Sequence, residues 1–278
     1  MKRQYGEALI IKNIKLKSFW LLSLLGCLFT SNAYGFFCRC VPPDYTDFRI
    51  FVAPQVARLK FRVDNFAVYR GVFKGGSAGF EYKPFCNFYC GIFAEWMMGD
   101  CDSEMKMSRY MHDFDSQFRL GYNFPMWNFY KLTFTPFFGL GYIQMIQHIR
   151  PDLVLTSEKF RYYNYYVPFG ILVDFRITHH FGFGFVVEKK PTINQKLKTP
   201  FIQEVKFDLK KELGGYLLEV PFNLYFGSKA KAEISLIPYL KREVDGALKA
   251  RLPDGATLTL PRQDYKFWGL RLAIGATF

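Results

Sequence analysis

At 278 residues the chain is long enough for one domain or two small ones, and 50% of its residues are hydrophobic and 19% aromatic. After the amino terminus no stretch offers the roughly 18–20 uncharged residues that a membrane helix needs, which argues against a helical membrane protein. The formal net charge of +13 raises nucleic acid as a partner, but Lys and Arg are spread along the chain, so we expect no nucleic acid.

The amino terminus has the pattern of a signal peptide. A basic region precedes a short apolar stretch at 18–30, and small residues suit cleavage after Gly35. A Leu-Leu-Gly-Cys sequence ending at Cys27 offers a rival site, with a lipid attached to Cys27. We predict residues 1–35 as a signal peptide and residues 36–47 as a periplasmic lead-in. Export of this kind leads to an oxidising compartment, where disulfides form.

From Asp47 onward apolar residues recur with a period of two, which is the pattern of β-strands. In the last segment one face is apolar throughout and consists of Trp268, Leu270, Leu272, Ile274, Ala276 and Phe278. The segments are about ten residues or longer, the length that a tilted strand needs to cross a bilayer. We predict strands near 50–62, 72–84, 88–98, 109–123, 129–144, 160–176, 180–189, 213–226, 231–242 and 264–278.

The connections between these segments alternate in length. Longer, polar connections are predicted at 63–71, 99–108, 145–159, 190–212 and 243–263, and short turns near 85–87, 124–128, 177–179 and 227–230. Short turns on one side and long loops on the other are typical of an up-and-down outer-membrane barrel with both termini at the periplasmic end. We therefore predict an all-β fold, an antiparallel transmembrane β-barrel over residues 48–278, with about ten strands and eight or twelve as alternatives.

These features together resemble the small outer-membrane β-barrel proteins, the broad OmpA-like group, over most of the chain after the leader. The sharpest point is the assembly signal at the carboxy terminus, which ends in an aromatic residue. Arg271 takes its polar position and Phe278 its last, while Ala273 stands where the family has Gly. The resemblance implies the outer membrane of a Gram-negative cell and recognition by the barrel-assembly machinery. It also implies contact with outer-membrane lipid and lipopolysaccharide, most simply as a monomer.

A barrel of this size has an interior that side chains nearly fill, so charged residues facing inward should form ion pairs. The inward face is predicted to carry Arg58, Lys60, Arg62, Glu81, Lys83, Glu95, Asp113, Asp115, Arg119, Lys131, Asp174, Glu188, Glu219, Glu233, Lys241 and Arg271. A lumen plugged by such pairs favours a structural or surface-interaction role. The alternatives are a narrow porin for ions or small solutes and, because alternation alone permits it, a soluble β-sandwich.

Ten-stranded barrels include the omptin proteases, whose site pairs two acidic residues with a His and an Asp. Asp100 and Asp102, at the start of a predicted outer loop, suit the first pair, but none of the four histidines completes it. His179 and His180 are adjacent, so on a strand they point to opposite faces and do not form a metal site. We therefore predict no enzymatic activity, no metal and no cofactor.

The cysteine spacings lack the paired Cys-x2-Cys arrangement of zinc sites. Cys38 and Cys40 in the lead-in and Cys86 and Cys90 around the first short turn all lie near the periplasmic end. We predict a disulfide that ties the lead-in to this turn. Cys101, on the outer side, is the candidate for a free thiol or for a disulfide between two molecules.

Overall fold

The computed structural model describes residues 48–104, 107–126, 129–150, 158–198, 205–206, 214–227, 231–245, 248–251 and 257–278. The chain divides into two units, Met1–Pro43 and Asp44–Phe278. The predicted signal peptide and lead-in, with Cys27, Gly35, Cys38 and Cys40, lie outside the described residues. The described part is all β-structure, and it holds no helix of the length and apolarity that crossing a membrane requires.

The strands follow one another along the chain in hairpin order. They are β1 (Phe48–Val63), β2 (Ala67–Tyr82), β3 (Phe88–Ser103), β4 (Ser108–Tyr122), β5 (Phe124–Met126), β6 (Phe129–Arg150), β7 (Glu158–Tyr166), β8 (Phe169–Arg176), β9 (Phe181–Lys190), β10 (Thr192–Lys198), β11 (Val205–Lys206), β12 (Gly215–Glu219), β13 (Phe222–Phe226), β14 (Lys231–Asp245), β15 (Leu248–Arg251), β16 (Thr257–Leu260) and β17 (Gln263–Thr277).

Together these segments form a closed antiparallel barrel that is ten strands around, which confirms the predicted fold class. Three of the ten barrel strands are each made of two short strands, β7 with β8, β9 with β10 and β12 with β13. The short strand β5 pairs with β6, as β4 does, and β11 adds two residues that pair with β10, so neither counts as a separate barrel strand. β1 pairs with β17 and so closes the ring. β15 and β16 form a separate two-stranded sheet. The alternative of a β-sandwich is wrong, because the long strands form one continuous ring and not two sheets packed face to face.

The outer surface of the barrel has the apolar band that lipid contact requires. Ile50, Val52 and Val56 of β1 are between 45% and 60% exposed, and the outward residues of β17 are similarly apolar. Aromatic rings gather at the end of the barrel where β1 begins and β17 ends, and there Phe48 stacks on Phe278 with ring centroids 5.6 Å apart. Such girdles are typical of barrels at the membrane interface.

The two ends of the barrel differ in their connections. The end at Phe48 and Phe278, here called the terminal end, has the short turns that the sequence predicts, while the opposite end, the loop end, carries the longest ones. The predicted connection at 63–71 is wrong, because β1 and β2 are joined by a tight turn of Asp64, Asn65 and Phe66. Likewise β3, β6 and β9–β10 run further toward the loop end than predicted.

The tight turn depends on a left-handed residue, Asn65, with φ of 59°. Side chains branched at Cβ are strained in that conformation by about 1–2 kcal/mol, whereas Asn and Gly tolerate it. We expect Asn65→Val to lower the free energy of unfolding by that amount and Asn65→Gly to change it by less than about 0.5 kcal/mol. Urea unfolding in detergent, followed by the gel-mobility shift of the folded barrel, would measure both; equal losses would contradict the assigned turn.

Candidate functional site

The interior of the barrel contains a charged layer centred on Lys241. The Nζ of this lysine, whose side chain is only 1% exposed, lies 2.8 Å from Asp113, 2.9 Å from Glu243 and 3.2 Å from Glu95. Asp115 is 3.3 Å away. Glu95 lies on β3, Asp113 and Asp115 lie on β4, and Glu243 lies on β14 with Lys241 itself. One cation therefore links three strands of the barrel. A buried charge needs such partners, because leaving it unpaired is far more costly than pairing it.

The charged layer continues around the lumen through further pairs. Lys190 lies 2.6 Å from Asp115, and Arg119 lies 2.6 Å from Glu188. Arg271 contacts both Glu95 and Glu219, and its Nε donates to Gln55 at 2.7 Å. The ion pairs of this layer are therefore connected across the lumen, from Arg119 and Glu188 through Lys190, Asp115, Lys241 and Glu95 to Arg271 and Glu219.

A second set of pairs lies nearer the terminal end. Arg49 donates to Glu81 at 2.8 Å and to Glu233 at 2.6 Å, which joins β1, β2 and β14. In the turn after β2, Lys83 contacts Asp174 of β8. Burial lowers the pKa of Lys83 to about 8, against the opposing effect of Glu81. The terminal mouth is thus also lined by neutralised charge.

Toward the loop end aromatic and other apolar side chains take up much of the interior, and buried polar groups lie among them, such as Gln147, which donates to the Tyr265 hydroxyl at 2.8 Å. A cluster of buried residues packs there, with Phe61 and Tyr265 stacked in parallel at a centroid distance of 4.5 Å. Tyr69 stacks on the other side of Phe61 at 5.3 Å, and the Arg109 guanidinium lies 4.5 Å from the Tyr69 ring. Met97 and Met111 fill the space around them and are buried. This aromatic layer was missed from the sequence, although Leu59, Phe61 and Val63 alternate as clearly as any lipid-facing run.

Most of the residues predicted to face the lumen do so. Those that are buried in the interior are Glu81, Glu95, Asp113, Asp115, Arg119, Glu188, Glu233, Lys241 and Arg271. Lys83, Asp174 and Glu219 are partly buried and paired within it. The side chain of Lys131 lies outside the described residues. Lys190 and Glu243 belong to the charged layer and Arg49 to the second set of pairs, and none of the three was predicted.

The prediction was wrong for Arg58, Lys60 and Arg62, which lie on the outer face of β1. The residues between them, Leu59 and Phe61, point into the aromatic layer. The prediction placed these charged side chains in the lumen because it took the whole outer face of β1 to contact lipid. Beyond the apolar band, toward the loop end, the outer face is exposed to water, so charged side chains point outward and apolar ones pack inside the barrel.

The acidic pair considered for proteolysis is not arranged as predicted. Asp100 and Asp102 lie within β3 and not in an outer loop, and their side chains point outward. His112 also points outward, where its ring lies 6.1 Å from that of His148. Asp113, its neighbour, faces the lumen and pairs with Lys241. Among the described residues, no three His, Cys, Asp or Glu side chains form a cluster that could hold a metal ion.

The cysteines differ in state. Cys86 is disulfide-bonded, while Cys90 and Cys101 are free thiols. Cys90 was wrongly considered for a disulfide, since it lies on the outer face of β3. Cys101 is a free thiol, fully buried in the aromatic layer with its sulfur 3.4 Å from that of Met111. The link between the lead-in and the first turn stays a prediction.

A closed antiparallel barrel with an apolar outer band, an aromatic girdle and a filled, charged interior defines the class of β-barrel membrane proteins. No protein-family model matches the chain, and no curated protein sequence is significantly similar to it. Among solved structures, the outer membrane protease OmpT from Escherichia coli aligns with a TM-score of 0.52 at 11% identity, over 84% of this chain and 97% of that one.

Two further structures of this class also align with the chain. The translocator domain of the autotransporter NalP from Neisseria meningitidis gives a TM-score of 0.44 at 11% identity, over 94% of this chain and 97% of that one. The outer membrane protein OprG from Pseudomonas aeruginosa gives 0.38 at 9% identity, over 84% and 96%. The alignment with OmpT shows that the chain has the fold of an outer-membrane β-barrel, and at this identity it shows the fold alone.

Proposed function

We propose that this protein is an outer-membrane barrel with a sealed lumen, which acts as a structural anchor and presents the connections of its loop end at the cell surface. The observation that carries the proposal is the double filling of the interior, a charged layer around Lys241 and an aromatic layer around Phe61. A solute passing through would have to break buried ion pairs and then cross a packed core. Both steps are costly.

The orientation follows from the connections. Barrels of this class place short turns in the periplasm and long loops outside, so the terminal end faces the periplasm. An export signal over residues 1–35 and an assembly signal ending at Phe278 fit this location. A monomer in contact with the assembly machinery and outer-membrane lipid completes the proposal, and the OmpA-like group is the family we propose on these residues. We assign no catalytic role to the interior.

Planar-bilayer recording tests the sealed lumen. The purified protein, shown to be folded by a gel band that shifts on boiling, is added to a bilayer and the current is followed at both polarities. We expect no stepwise conductance, because two filled layers block the path. A porin handled in the same way is the positive control. Uniform steps would overturn the sealed lumen in favour of a narrow channel, whereas a band that does not shift would overturn the barrel itself.

A further inference from the structure

Four cations stand in one row across four neighbouring strands on the outer surface. Lys60 of β1 lies opposite Arg70 of β2 and opposite Lys266 of β17, and Lys266 in turn lies opposite Arg242 of β14. All four belong to the outward face of their strands. Like charges placed directly opposite each other destabilise a sheet, so such a row requires anions close by.

Two further cations extend this row toward the terminal end. Arg58 lies opposite Val72 and Trp268, and Lys74 lies opposite Val56. Arg58 and Lys74 are exposed, and the apolar residues beside them are between 45% and 50% exposed. The cations therefore begin where the apolar band ends. Trp268 lies at this boundary, the position that tryptophan favours between hydrocarbon and water.

The protein neutralises only the flanks of this surface. Asp264 accepts two hydrogen bonds from Arg242, at 2.9 and 2.8 Å, and lies 4.0 Å from Lys266. On the other flank Arg70 lies 3.6 Å from Glu104.

On the same flank Asp102 lies opposite Arg70 and Asp100 opposite Val72. At the centre, Arg58, Lys60 and Lys74 form no ion pair with any carboxylate of the described residues. The described residues therefore leave the centre of this surface without an anion.

We infer that Arg58, Lys60 and Lys74 bind the phosphate of a phosphorylated lipid headgroup in the membrane leaflet at the loop end. The acyl chains of that lipid lie along Val56, Trp268 and the strand residues below them. Phosphate suits the site because each of its oxygens accepts hydrogen bonds from ammonium and guanidinium groups, which here belong to the outward faces of the neighbouring strands β1 and β2. The apolar side chains directly below the cationic cluster can contact the acyl chains of a lipid, whereas a free phosphate would make no contact with them. The inference rests on the proposed membrane location of the barrel.

The barrel offers a matched control surface. Arg161 of β7 and Lys198 of β10 lie opposite each other, and Lys189 lies on β9. These three cations are exposed on the outer face of the barrel, on strands that do not neighbour β1 or β2. Reversing their charges changes the net charge of the protein by the same amount as reversing Arg58, Lys60 and Lys74, but leaves the central site intact.

The test uses the full chain purified in detergent, with bisphosphorylated lipid A as the probe and native mass spectrometry as the readout. We expect the triple variant Arg58→Glu, Lys60→Glu, Lys74→Glu to bind the probe at least about tenfold more weakly than the unaltered protein. Lipid A stripped of both phosphates should bind weakly to either protein. Inorganic phosphate should compete only at far higher concentration, because it lacks the acyl chains.

The control variant decides whether the site is local. Equal weakening by Arg161→Glu, Lys189→Glu, Lys198→Glu would overturn the proposal, since it would show a general attraction of the rim for anions. Unchanged binding in the first variant would overturn it as well. The heat-shifted gel band is checked for each variant, so loss of the lipid site is distinguished from failure of the barrel to fold. Equal competition by inorganic phosphate would reassign the site to free phosphate.

Discussion

Replacing Lys241 with methionine is expected to lower the free energy of unfolding by about 3–5 kcal/mol, the range for breaking a buried ion pair by removing one partner. The substitution keeps most of the volume of the side chain and removes its charge. Asp113, Glu95 and Glu243 would then face one another without their shared cation. Urea unfolding in detergent, read by tryptophan fluorescence and by the gel shift, measures the loss.

A matched control is Lys74→Met, which makes the same chemical change on the outer surface and should alter the stability by less than about 0.5 kcal/mol. A second change, Asp113→Asn, should restore part of the stability of the Lys241→Met variant, because it removes one of the carboxylates left unpaired. A loss equal to that of the control would show that Lys241 does not hold the charged layer together.

The second large effect is expected for Phe61→Ala, which removes the centre of the aromatic layer. Phe61 is fully buried between Tyr265 and Tyr69. Removing a buried phenylalanine ring costs about 3–5 kcal/mol, because apolar contacts are lost and a cavity remains. The same unfolding measurement gives the size of the effect.

The control for this variant lies in the same hairpin. Phe66, in the turn that follows β1, is 52% exposed, so Phe66→Ala should cost less than about 1 kcal/mol. Bilayer recording of the Phe61→Ala variant should still show no conductance, because the charged layer below it is intact. Stepwise currents from this single variant would mean that the aromatic layer alone closes the lumen.

The strands that cross the lipid band could be predicted closely from the sequence. In β17 the predicted face of Trp268, Leu270, Leu272 and Ile274 is the outward one, and Arg271 between them faces the interior. The physical reason is simple, since lipid on one side and a charged lumen on the other impose a strict period of two. The same alternation placed Lys241 and Glu95 correctly on the inner face.

Prediction failed where the strands leave the lipid. Arg49, Lys190 and Glu243 were missed because each lies just beyond the end of a predicted strand. Arg58, Lys60 and Arg62 alternate with apolar residues as regularly as any membrane-crossing segment, but there the apolar residues form the core. A pattern of period two gives the two faces of a strand and does not say which of them is inside.

The pairing of β1 with β17 has a consequence for how the molecule is made. Phe48 and Phe278 exchange backbone hydrogen bonds of 2.9 and 3.0 Å, so the seam joins the first strand of the barrel to the last. Contacts between such distant positions form slowly, because a long loop of chain must close first. Until β17 is in place, its two neighbours β1 and β14 are open edges that can pair with other chains. Folding of this protein therefore depends on protecting two unpaired edges until its final strand is available.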